Sequence, residues 1–330
     1  MVVPFWAWTS VIVGLIVVLA LDLWIVDRGG PREFSLKQAG YWVSFYITLA
    51  VVFGIGLWIL VGPTPAGQFF AGYITEYSLS VDNLFVFYII MTRFAVPKIH
   101  QHRVLLVGVL MALFMRGAFI AVGAAALASF GWLFYVFGLF LIYTAVQIIR
   151  QHGQDESEFT ENAVLRWARR MLPHTDDYVG SKITVKVDGK RMVTPLLIVM
   201  VAIGTTDLLF ALDSIPAIFG LTTDAFIVFS ANAFALMGLR QLYFLLGGLL
   251  QRLVYLSYGL AVILSFIGVK LILEALHSSG VSWAPEVPIW LSLSIIGVTM
   301  VITTVTSLIK IRRDGRESKG ITPSASGTEG

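Results

Sequence analysis

Two pairs of carboxylates, Glu76 with Asp82 and Asp207 with Asp213, sit six residues apart in the middle of long apolar stretches. The first pair lies in TEYSLSVDNLFVF, the second in TTDLLFALDSIPA. Carboxylates are costly in hydrocarbon, so several at one depth imply a buried hydrophilic site. Their chemistry is that of hard oxygen donors. Asn83, Asn232, Ser80 and Ser214 add neutral oxygens nearby, and Asp22 is a further acid. An all-oxygen set suits Mg2+, Ca2+ or Mn2+. The histidines (His100, His102, His152, His174 and His277) fall in loops or at the ends of apolar stretches, and there is no cysteine. A Zn2+ or Cu+ site is therefore not expected.

Six residues on a straight α-helix rise ~9 Å and leave the two side chains ~240° apart around the axis. Either the helices are interrupted at the acids, or each acid meets a different partner. The local residues favour interruption: SLS beside Glu76 offers hydroxyls that compete for backbone bonds. Pro216 has no N–H for the carbonyl of Leu212, which adds a main-chain oxygen beside Asp213. The competing reading pairs these acids with Arg116, Arg240 and Lys270, the basic residues within apolar stretches. Three cations leave five deep acids with excess negative charge, which favours a cation site. Arg116 and Arg240 are expected to hold the helix architecture or to pair with an acid. Lys270 and Glu274 have the spacing of a local ion pair, and Asp224 that of a helix cap.

The elements that must position these residues are transmembrane helices. The 330-residue chain is 57% hydrophobic with a mean hydropathy of +0.83, which excludes an ordinary soluble domain. About 20 apolar residues span a bilayer, and nine candidate spans follow: 5–26, 41–62, 68–92, 104–127, 131–149, 195–219, 225–249, 253–276 and 287–309. The start, MVVPFWAW, reads as a retained helix rather than a leader. Lys and Arg follow spans one, three, five, seven and nine and are missing after the others. By the positive-inside rule the N-terminus is then outside a cell membrane and the C-terminus cytoplasmic. The basic balance therefore fits a lipid bilayer, not nucleic acid.

The predicted organisation is all-α: spans one to five in 1–150, a cytoplasmic insert at 151–194, spans six to nine in 195–310, and a disordered tail at 311–330. FTENAVLRWARRML in the insert has helical periodicity, and ITVKVDGKRMVT reads as a hairpin around Asp188-Gly189. Spans three and six run in opposite directions, so matched acid pairs on them suggest an inverted repeat with its site between the halves.

At these residues the chain resembles the TerC/Alx family of integral membrane proteins. EYSLSVDNLFVF (76–87), TDLLFALDSIPAIFG (206–220), ANAFALMGLRQLYFLL (231–246) and the Gly189-Lys190 to Thr194-Pro195 segment carry the likeness, which spans roughly residues 15–310. The resemblance implies Mn2+ export and metal homeostasis, a link to tellurium resistance, and kinship with LysE-type transporters. It maps the family's acidic positions onto Glu76, Asp82, Asp207 and Asp213, beside Asn83 and Ser214. The chain departs from the family at Gly204, where relatives carry Glu, and at Ala225, where Pro is usual. The expected function is export of a divalent cation, Mn2+ first, through a midplane carboxylate site, with protons as a plausible counter-ion. The metal is cargo, no permanent cofactor is expected, and no nucleotide-binding motif suggests direct ATP drive. A non-transporting scaffold in tellurite or envelope-stress resistance, docking partners through 151–194, is the alternative. An intramembrane enzyme is disfavoured, because no histidine or basic phosphate cluster accompanies the acids.

Overall fold

The computed structural model describes residues 3–27, 36–151, 173, 175, 178–180, 182–187, 190–246, 255–281 and 283–320; side chains at 23–27, 82, 151, 187, 190, 246 and 311–320 lie outside that description. The elements are α1 (Phe5–Asp27), α2 (Leu36–Leu60), α3 (Pro63–Arg93), α4 (Lys98–Ser129) and α5 (Leu133–Gln151). They continue with β1 (Thr184–Val187), β2 (Lys190–Val193), α6 (Pro195–Phe219), α7 (Ala225–Met237), α8 (Leu239–Leu246), α9 (Leu256–Ser278) and α10 (Ile289–Gly320). Among the described residues nine segments are long and apolar enough to cross a membrane, with α7 and α8 together forming one of them. The chain is an all-α polytopic membrane protein.

Start signals in the sequence set the two helices that carry the acid pairs. Gly62 adopts φ 127°, a conformation that favours glycine, and Pro63 opens α3. Thr194 is extended and Pro195 opens α6. Both helices then run unbroken through their acids. The interruption expected at Glu76–Asp82 and Asp207–Asp213 is therefore absent. Pro216 sits inside α6 near its end, where few later turns depend on the missing hydrogen bond. The break falls instead at Gly238, between α7 and α8.

The α7–α8 segment is the most enclosed span. It packs against α2, α3 and α4, while α6 packs against α3 and α4. Small residues allow these approaches, as expected where lipid supplies no hydrophobic drive between helices. Between α5 and α9 the approach is backbone to backbone: a Cβ on Gly138 would sit 2.7 Å from the Gly268 carbonyl oxygen, and one on Gly268 would sit 2.7 Å from that of Gly138. Backbone cannot step aside as a side chain can. Gly268→Val is therefore expected to cost about 1–3 kcal/mol by overpacking, read as a lower unfolding temperature of the purified protein in detergent.

The α3–α4 turn carries a backbone cost. Ala95 has φ 47°, the left-handed region that penalises a Cβ by about 1–2 kcal/mol. Val96 N–H donates to the Met91 carbonyl at 2.9 Å and Ala95 N–H to that of Thr92 at 3.0 Å, the pattern in which glycine usually closes a helix. Ala95 is exposed, so Ala95→Gly is expected to stabilise by about 1 kcal/mol in the same thermal measurement.

Of the insert, the expected hairpin is present, with Thr184 opposite Val193 and Val187 opposite Lys190. Thr194 anchors it, its hydroxyl donating to the Lys182 carbonyl at 2.7 Å. Tyr178 donates to the Phe94 carbonyl at 2.7 Å and so ties this segment to the end of α3; burial raises the pKa of its phenol. The helix expected in FTENAVLRWARRML lies outside the described residues. The tail differs from expectation in its first half: α10 continues to Gly320, through a run of Arg, Glu and Lys that favours helix. Residues 321–330 lie outside the described set.

Candidate functional site: an arginine between two carboxylates

Glu76 on α3, Arg116 on α4 and Asp207 on α6 meet in the interior, exposed by 0%, 1% and 2%. Arg116 Nη1 bonds Glu76 Oε1. Its other edge forks onto Asp207: Nε donates to Oδ2 at 3.2 Å and Nη2 to Oδ1 at 3.3 Å. Nη1 also donates to Ser214 Oγ at 3.1 Å. A planar guanidinium suits this, since its five donors match carboxylate geometry. Arg116 thereby joins helices on both sides of the insert.

Helical periodicity explains which residues take part. Glu76, Ser80 and Asn83 fall at i, i+4 and i+7 and share a face of α3; Asp207 and Ser214 share a face of α6. Ser80 Oγ reaches Glu76 Oε1 at 3.5 Å, and Asn83 is buried. Asp82 and Asp213 fall off these stripes. Asp213 is half-buried and turns to α5, where Thr144 Oγ1 donates to its Oδ1 at 3.2 Å. The Asp82 side chain lies outside the described residues. The four acids expected in one site thus divide: Glu76 and Asp207 converge with Ser214, and Asp213 does not join them.

Leu212 presents its side chain outward, 45% exposed. Asn232 is buried on α7, and neither of its amide atoms finds a partner among the described residues. Glu76 Oε2 is also buried without one. Unmet buried acceptors of this kind are uncommon and call for an explanation. Among the described residues no three or more His, Asp or Glu side chains gather closely enough to hold a metal ion. Gly204, one turn before Asp207, faces Met111, whose Cε would lie 2.6 Å from an added Cβ. Methionine there fills space near the site that a longer residue at 204 would contest.

Asp22 belongs to a second cluster, which corrects its assignment to the first. Arg240 Nη2 bonds Asp22 Oδ2, and Gln241 Nε2 donates to its Oδ2 and Oδ1 at 3.0 and 3.3 Å. Arg240 Nη1 lies 3.4 Å from His102 Nε2. One carboxylate thus meets one guanidinium, a match of charge that suits an architectural pair. Asp224 takes the capping role expected of it, accepting from Phe226 N–H at 3.0 Å and Ile227 N–H at 3.4 Å. Lys270 and Glu274 line a 440 Å³ cavity with Gln68, Thr222 and Glu286. It opens where α6 and α9 end and α3 and α10 begin.

Arg116, which the sequence offered as a helix brace or an acid's partner rather than as part of the cation site, stands at the centre of the cluster. The signal was a basic residue deep in an apolar span. Which acids it would meet depended on how three helices pack.

Apolar spans enclosing a buried, charge-bridged centre define a multi-pass α-helical membrane protein with a polar core. The chain belongs to the TerC family of integral membrane proteins, whose family model matches residues 61–315. It is 45% identical over 316 residues to an uncharacterized membrane protein of Mycobacterium tuberculosis, covering 92% of this chain and 79% of that one. An uncharacterized membrane protein of Myxococcus xanthus is 43% identical over 305 residues, covering 92% of both. The Escherichia coli protein named "Putative membrane-bound redox modulator Alx" is 36% identical over 316 residues, covering 93% of this chain and 96% of that one. No solved structure matches.

Proposed function

We propose that this protein is a non-enzymatic transporter that exports a hard divalent cation, Mn2+ above others, from the cytoplasm across the cell membrane. The observation that carries the reading is the convergence of Glu76 and Asp207, from α3 and α6, inside the membrane-spanning core. Two carboxylates against one guanidinium leave one negative charge in excess there, which a cationic substrate relieves. Glu76 Oε2 and Asn232 Oδ1 are buried acceptors still to be met. All the donors are oxygens, which suits Mn2+, Mg2+ or Ca2+ and disfavours Zn2+ and Cu+. The N-terminus is placed outside and the hairpin in the cytoplasm, by the charge asymmetry of the loops. Proton counter-transport is consistent with carboxylates that must lose protons to bind metal.

The name of the Escherichia coli relative refers to redox modulation. This chain has no cysteine, so its own side chains supply no thiol–disulfide chemistry, and cation transport is the better-supported reading. A scaffold role draws on the hairpin segment, where Val179 and Ile183 are 41% and 45% exposed, yet it gives no reason for a buried charged centre. The test is uptake of radiolabelled Mn2+ into inverted vesicles, with competing metals. Uptake should rise with pH, since protons and metal compete for the carboxylates. Mg2+ should compete weakly because it dehydrates reluctantly, and Zn2+ should not be carried. Preferential Zn2+ uptake, or no uptake at all, would return the scaffold to first place.

A further inference from the structure

We propose that Arg116 is a tethered counter-cation, holding the carboxylates whenever the transported ion does not and giving them up when it arrives. The inference rests on the transport reading above. Arg116 engages Glu76 Oε1 and both oxygens of Asp207. A hard divalent ion needs such oxygens at about 2.0–2.6 Å, so it and the guanidinium cannot hold them together. Arginine does not shed its charge in proteins. Its release must therefore be a movement of the side chain or helix rather than a deprotonation.

Glu76 Oε2 supplies the way in. It is buried on a residue with no exposure and carries no hydrogen bond to the described residues. An incoming cation can take this oxygen first while Arg116 keeps the other, and displacement then proceeds stepwise. Ser214 gives the guanidinium a neutral acceptor at 3.1 Å that does not depend on either carboxylate.

The arrangement has a consequence for turnover. An exporter must return through the membrane without its metal, and of the two buried carboxylates a counter-transported proton offsets one while the other opposes that passage. With Arg116 folded onto them, the unloaded carrier keeps its charge largely compensated. Arg116 then governs net export, which requires the unloaded return, and not exchange of Mn2+ for Mn2+, which does not.

The full chain reconstituted in liposomes tests this with radiolabelled Mn2+. Arg116→Gln should bind Mn2+ about tenfold more tightly, retain exchange within about twofold, and lose net efflux by at least about tenfold. Arg116→Lys keeps a cation but not the bidentate fork. It should retain the wild-type ratio of net efflux to exchange and bind Mn2+ a few-fold more tightly, a result that serves even if Arg116→Gln fails to fold. Unchanged Mn2+ affinity in either folded variant, or loss of net efflux and exchange in equal proportion in Arg116→Gln, would overturn the proposal and leave Arg116 an architectural residue. Wild-type protein that neither binds nor moves Mn2+ would instead overturn the transport reading, and this inference with it.

Discussion

Asp22→Ala is expected to destabilise the folded protein by about 3–5 kcal/mol, because it leaves Arg240 buried without its counter-charge. The Asp22 and Arg240 side chains are 3% and 4% exposed, so solvent does little to soften the loss. Gln241, which donates to both Asp22 oxygens, loses its acceptor as well. The paired change Asp22→Leu with Arg240→Met should recover most of that stability, since replacing a whole buried ion pair by apolar residues is often neutral or better. Thermal unfolding of the three proteins in one detergent reads the difference. Mn2+ flux per folded molecule should survive the paired change. Selective loss of flux with stability restored would show that Asp22 serves the cation path after all.

The spans were legible because a bilayer fixes how long an apolar helix must be. The first predicted span, 5–26, and the fourth, 104–127, fall inside helices Phe5–Asp27 and Lys98–Ser129. Asp224 was legible too, because an N-cap is decided by a few neighbouring residues. The site was legible as chemistry but not as geometry. Six-residue spacing ruled out a common focus for both acids of one helix, and that rule holds for Asp207 and Asp213, which turn to α4 and α5. The local sequence favoured a break over different partners as the resolution of that conflict. Different partners resolved it instead, because α6 tolerates Pro216 close to its end. Arg116 finds Glu76 and Asp207 through the packing of α3, α4 and α6, a long-range fact that no local spacing encodes.

The largest functional effect is expected at the bridged pair. Asp207→Asn or Glu76→Gln should lower Mn2+ flux by about 100-fold or more, equivalent to roughly 2.7 kcal/mol. With both acids ionised the centre carries one excess negative charge against Arg116. Removing either acid brings that to zero, and a divalent ion then enters beside an arginine it can no longer outcompete. A unit charge about 4 Å away is worth about 4 kcal/mol at an effective dielectric constant of 20, enough to produce a loss of this size. The fold should persist, because one carboxylate and Ser214 still meet the guanidinium. Asp213→Asn provides the contrast. Asp213 is half-buried and its carboxylate accepts from Thr144 on α5, so its loss should reduce flux by no more than about tenfold. The comparison is radiolabelled Mn2+ uptake per molecule of correctly folded protein, with unfolding temperature measured on the same samples. If Asp213→Asn stops transport while Asp207→Asn spares it, the cation path follows the α5 side of α6, and the arginine-bridged pair is only a brace between helices.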